Sequence, residues 1–126
     1  MTFRIFSAFP SLAFISLFGQ VVAQENAEGT VACDIGPVAK EFGGTEWNVF
    51  SCTKPDQVVI VAAPGNPAMP FYFVLYMEDG ERKLHGQGTG SKEATTAAFE
   101  DLRVVVESEE SIAALIAETE EADQKK

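Results

Sequence analysis

Residues 58–81 read VVIVAAPGNPAMPFYFVLYMEDGE. Val58–Ala63 is a β-branched apolar run, and Phe71–Met77 is an aromatic and branched one. Both residue types suit a pleated, half-buried surface and lose χ1 freedom in a helix. Three prolines and a glycine in Pro64–Pro70 force a loop between them. Glu78-Asp79-Gly80-Glu81 carries Asp-Gly, a tight-hairpin signal, so Arg82–Gly86 reads as a shorter, polar edge strand. Upstream, Trp47–Thr53 reads as a first strand, ended by the turn chemistry of Lys54-Pro55-Asp56-Gln57. An antiparallel sheet of three to four strands is the expected centre of the fold.

Outward from the sheet the period changes. Ile35, Val38, Ala39 and Phe42 fall at i, i+3, i+4 and i+7, which predicts a helix from Gly36-Pro37 to Gly43-Gly44. It has room to begin near Val31 and so to carry Cys33. After the sheet, Ser91 is a good N-cap with Glu93 in the first turn. Ala94, Ala97, Ala98 and Leu102 share one face, and the β-branched Val104–Val106 ends or frays that helix. Ser108 caps another, with Glu109 and Glu110 in its first turn and Ile112, Leu115 and Ile116 as its stripe. Glu118–Lys126 reads as a charged, solvated tail. The expected class is α+β: a small antiparallel sheet with helices on one face, in a single domain over residues 31–117.

Gly86–Leu102, GQGTGSKEATTAAFEDL, resembles the end of double-stranded-RNA-binding domains. There a third strand gives way to a glycine turn, Ser-Lys-Lys and a helix with paired alanines. The resemblance implies an α-β-β-β-α order. That family's function rests on a basic clamp at this helix start. Here Lys92 is present, but Glu93 and Thr95 stand where further Lys are expected. The topology is carried over and the RNA binding is not.

The N-terminus reads as an address. Met1–Ala23 places Arg4 near the start, an apolar core at Leu12–Phe18, and Val21-Val22-Ala23 as a signal-peptidase site. Ser16, Gly19 and Gln20 interrupt or end the core, which is short for a retained anchor. A lipoprotein anchor at Cys33 is disfavoured by Glu25 and Glu28 before it. Cleavage after Ala23 would remove 23 of 126 residues and leave 103, starting with a polar, flexible Gln24–Thr30. The chain has a formal charge of −10, which becomes −11 without Arg4. Such acidity opposes nucleic acid and anionic membranes as partners. A periplasmic or secreted location makes Cys33 and Cys52, the only two cysteines, a structural disulfide rather than a redox pair.

The chemistry-bearing motifs are incomplete. Gly86–Lys92, GQGTGSK, completes neither a phosphate loop nor a dinucleotide fingerprint. His85 is the only imidazole, and no spacing groups it with a nucleophile and a carboxylate. Glu78, Asp79 and Glu81 sit in too short a turn for a calcium loop. No catalytic, metal or cofactor site is expected. Two surfaces stand out instead. Phe71, Phe73, Leu75 and Met77 alternate with Tyr72, Val74 and Tyr76, so both faces of one strand are apolar. The second face is either covered by the last helix, or a surface for a partner or second copy, or tolerated exposure. Pro64, Asn66, Pro67 and Met69 lie in a stiff loop suited to contact with another protein. These features lead to a small exported non-catalytic domain acting by protein contact. The alternative is an inhibitor of a secreted hydrolase, such as a lysozyme or protease, through Pro64–Pro70. An uncharacterised enzyme stands third.

Overall fold

The computed structural model describes residues 31–126. The signal segment, its cleavage site and Gln24–Thr30 lie outside the described residues. Five strands form one antiparallel sheet in sequence order: β1 (Ile35–Phe42), β2 (Thr45–Ser51), β3 (Val58–Ala62), β4 (Phe71–Glu78) and β5 (Glu81–Gly88). Helices α1 (Lys92–Val106) and α2 (Glu109–Gln124) follow.

The first element corrects the sequence reading. Ile35–Phe42 is a strand and not a helix. Over eight residues, Val38, Lys40 and Phe42 alternate as well as Ile35, Val38, Ala39 and Phe42 repeat at helical spacing. The turn decides between them. Gly43 and Gly44 take φ values of 65° and 79°, and Phe42 pairs with Thr45. Two successive positive φ values make the tight turn whose twist suits a hairpin, and glycine reaches them without a Cβ penalty. Lys40 obscured the alternation, because its charge reads as an outward residue. Its ammonium meets Glu118 at 2.9 Å on the rim of the helix layer. A bulge between Ile35 and Val38 re-phases the strand near Gly36. With five strands and no helix ahead of the sheet among the described residues, the α-β-β-β-α order falls, and the likeness to double-stranded-RNA-binding domains with it.

One face of the sheet supplies the core. Trp47 and Val49, Val58, Ile60 and Ala62, and Phe73 and Leu75 point toward the helices. Ala94, Ala98 and Leu102 of α1 and Ile112 and Leu115 of α2 complete it. Trp47 is fully buried, and its indole N–H donates to Phe42 O at 3.2 Å and Thr45 Oγ1 at 3.0 Å. Its ring lies 5.3 Å from that of Phe73. Both caps form: Ser91 Oγ accepts from the Ala94 N–H at 3.2 Å, and Ser108 Oγ from the Ser111 N–H at 3.1 Å.

Residues beyond Glu118, expected as a solvated tail, are helical to Gln124. Thr119 is wholly buried, and its hydroxyl lies 2.7 Å from that of Ser51 on β2. Asp123 Oδ1 accepts the Gly36 N–H at 3.2 Å, tying the end of α2 to the β1 bulge. The Lys126 ammonium and the Gly36 N–H hold the Asp123 carboxyl below its ordinary pKa. Cys33 and Cys52 form the disulfide that closes the other end of the β1–β2 pair.

Candidate functional site

Both helices pack on the same side of the sheet, so α2 does not wrap over the second face. Strand pairing places the side chains of that face in rows. Asn48, Val61, Tyr72 and Gln87 form one row, and Phe50, Val59, Val74 and His85 the next. Tyr76 and Lys83 follow. Phe50, Val59, Val61, Val74 and Tyr76 are half-buried, and Tyr72 is 38% exposed. The centre of the open face is thus apolar across three strands. Its β5 margin carries Lys83, His85 and Gln87. Tyr72 Oη lies 3.4 Å from Gln87 Oε1 and donates to it. Glu81 accepts from the Lys83 ammonium at 3.2 Å and raises its pKa.

The Pro64–Pro70 loop reaches this face at one end. Asn66 is its fixed point. The Asn66 amide donates to Glu46 O at 2.6 Å and accepts from the Ala68 N–H at 2.8 Å. Its backbone bonds Ala63 O and the Met69 N–H. Ala68 is fully buried in the core. Asn66 is therefore a buried pin, 7% exposed, and offers nothing to a partner. Pro64 and Pro67 are exposed, and Met69 is 49% exposed.

Met69 and Tyr72, from the two surfaces singled out separately, come together. They line a cleft of about 430 Å³ with Val61, Pro70, Gln87 and Thr89. Pro64, Asn66 and Pro67 do not line it. Val74 and Tyr76 lie further along the same face. Val59 and Val61 repeat the two-sided apolar pattern in the sequence, whereas Phe50 and Gln87 do not stand out there. The signal for Phe50 was present, because Asn48 and Phe50 alternate with Trp47, Val49 and Ser51.

The glycine-rich stretch has a packing role. A Cβ on Gly90 would collide with Ala68 O, and one on Gly88 with Pro70 O. The Thr89 and Ser91 N–H groups donate to Pro70 O and Pro67 O, each at 3.0 Å. The Ala94 N–H is taken by the Ser91 hydroxyl, so three N–H groups of this turn and helix start already have partners within the chain. His85 is exposed opposite Val74. Ser51 is buried on Thr119 and Ser91 caps α1, so neither serine stands beside the imidazole. Glu78–Glu81 is a hairpin turn with Asp79 at φ 54° and Gly80 at φ 80°. Among the described residues no three His, Cys, Asp or Glu are grouped as metal ligands. Among them, too, no helix is long and apolar enough to cross a membrane. No family model, curated protein or solved structure matches the chain.

Proposed function

We propose that this protein is a small exported, non-catalytic domain that acts by binding another protein on its open sheet face. One observation carries the reading: six apolar side chains on β2, β3 and β4 face away from both helices and end in the Met69–Tyr72 cleft. An antiparallel sheet with a wet face ordinarily alternates polar residues there. Contiguous apolar surface with a polar margin is the usual mark of a contact site. Tyr72 and Tyr76 supply large rigid rings with a polar end, the type of anchor that dominates such contacts. The test is capture from the exported fraction by the wild type and by Tyr72→Ala/Tyr76→Ala. A protein retained by the wild type and lost by the variant supports the reading. Equal recovery of the same proteins by both overturns it.

A second reading is inhibition of a secreted hydrolase through the proline loop. The pinning of Asn66 favours it, since a loop already fixed in shape has little ordering left to lose on docking. The acidic surface would speed its encounter with a basic enzyme such as a lysozyme. Met69→Glu should then abolish inhibition with the fold intact. Unchanged inhibition by that variant, or none by the wild type, removes this reading.

A further inference from the structure

We infer that β5 is a dimerisation edge that pairs with β5 of a second copy about a two-fold axis through His85. Among the described residues β5 has only β4 as a sheet neighbour. The bond from the Thr89 N–H to Pro70 O continues the β4–β5 register. Bonded and non-bonded pairs alternate in an antiparallel ladder. Lys83, His85 and Gln87 thus turn their backbone groups toward β4, and Arg82, Leu84 and Gly86 turn theirs outward. Beyond the ladder with β4, these three make no backbone hydrogen bond within the described residues. An unpaired row of this kind is a template for another strand.

The register follows from side chains on the helix side of the sheet. Gly86 has no side chain, and the rings of Phe71 and Phe73 lean over it to the edge. A cleft of about 240 Å³ opens there, lined by these rings, Thr95, Thr96 and Phe99. Leu84 lies two residues before Gly86 on the same face. A two-fold axis through His85 sets Leu84 of each copy opposite Gly86 of the other, beside that apolar cleft. Arg82 then faces Gly88, Lys83 faces Gln87 and Glu81 faces Thr89, so no like-charged pair is opposed. An axis through Leu84 would instead aim Arg82 at the aromatic cleft and lose charge hydration there. In a chain of net charge −10, Arg82 and Lys83 offset Glu109 and Glu81 at this edge, which limits the repulsion between two copies there. The open apolar face is not consumed, so this inference is independent of the function proposed above.

Cysteine cross-linking of the purified protein tests the register. His85→Cys should form a disulfide-linked dimer, because the two copies meet there at about 4.5 Å between Cα atoms. Lys83→Cys and Gln87→Cys should each stay uncoupled, with their own copies about 14 Å apart along the strand. Mixed together, those two variants should couple. The wild type should sediment as a concentration-dependent monomer–dimer system, and Tyr72→Ala/Tyr76→Ala should keep it. A monomer at every concentration overturns the inference. So does equal coupling by all three single variants, a His85→Cys that stays monomeric, or loss of the dimer in the tyrosine variant.

Discussion

Replacing Thr119 by Val removes one hydroxyl from the contact that holds the second half of α2 to the sheet. The two hydroxyl oxygens lie 2.7 Å apart, with Thr119 fully buried and Ser51 2% exposed. Thr119 Oγ1 also donates to Ile116 O at 2.6 Å. The two ends of the pair are therefore unequal. Thr119→Val fills the same volume but strands the Ser51 hydroxyl away from water, at a cost of about 1–3 kcal/mol. Ser51→Ala leaves Thr119 bonded to Ile116 O, and should cost nearer 0.5–1.5 kcal/mol, roughly the net worth of one hydrogen bond. The double variant strands nothing, so its loss should fall short of the sum of the two single losses by about 1 kcal/mol. Urea denaturation at constant m-value reads these differences, with the disulfide kept oxidised. In a domain of this size a loss of 1 kcal/mol lowers Tm by roughly 4–8 °C. A Thr119→Val variant within about 0.5 kcal/mol of the wild type would refute the packing of α2 on β2, since that is the response of an exposed residue. Strict additivity in the cycle would refute the contact itself.

Reducing or deleting the Cys33–Cys52 bond, which closes 18 intervening residues, should cost roughly 3 kcal/mol in a thermal or urea melt. Gly90→Ala should destabilise by more than 1 kcal/mol and alter the near-ultraviolet signal of Trp47, because its Cβ would collide with Ala68 O on buried backbone. Asn66→Ala should cost about 2 kcal/mol, since it frees the buried Ala68 N–H and removes the bond to Glu46 O. Asp123 has a folded pKa below its ordinary value, so its contribution is present above that value and is lost as pH falls through the folded pKa. The stability advantage of the wild type over Asp123→Asn should thus be complete at about pH 6 and shrink as the pH is lowered below the ordinary carboxylate range. An advantage that persists in acid would show that the carboxylate charge is not what Gly36 and Lys126 respond to.

The candidate site was half legible. The two apolar faces of Phe71–Met77 are written in that segment, since alternation depends only on the order of residues. The meeting of Met69 with Tyr72 is not, because it needs the loop to fold back on Gly88 and Gly90. Asn66 shows the limit of composition. A polar residue between prolines reads as exposed, yet the nearby Glu46 O and Ala68 N–H make burial of its amide favourable. In the sequence, the glycines after β5 are turn residues. Their close approach to the proline loop is a contact between two segments, and neither segment states it alone.

By itself, the sequence determined the elements whose signals are local. These are β2, β3 and β4, the Asp79-Gly80 hairpin, the serine caps of both helices, and a disulfide between the only two cysteines. Each rests on periodicity, turn chemistry or a single possible pairing within a few residues. Tertiary structure alone decided the state of Ile35–Phe42, whose eight residues satisfy helical and extended spacing alike. It becomes a strand because β2 offers it a ladder across the Gly43-Gly44 turn. Tertiary structure also decided that α2 runs to Gln124, because Ser51 and Gly36 supply partners for Thr119 and Asp123. The helices settle on the Trp47–Phe73 side, where the larger buried side chains and the small Ala94 and Ala98 fit closely. That choice leaves Phe50, Val59, Tyr72 and Val74 on the face that neither α1 nor α2 covers.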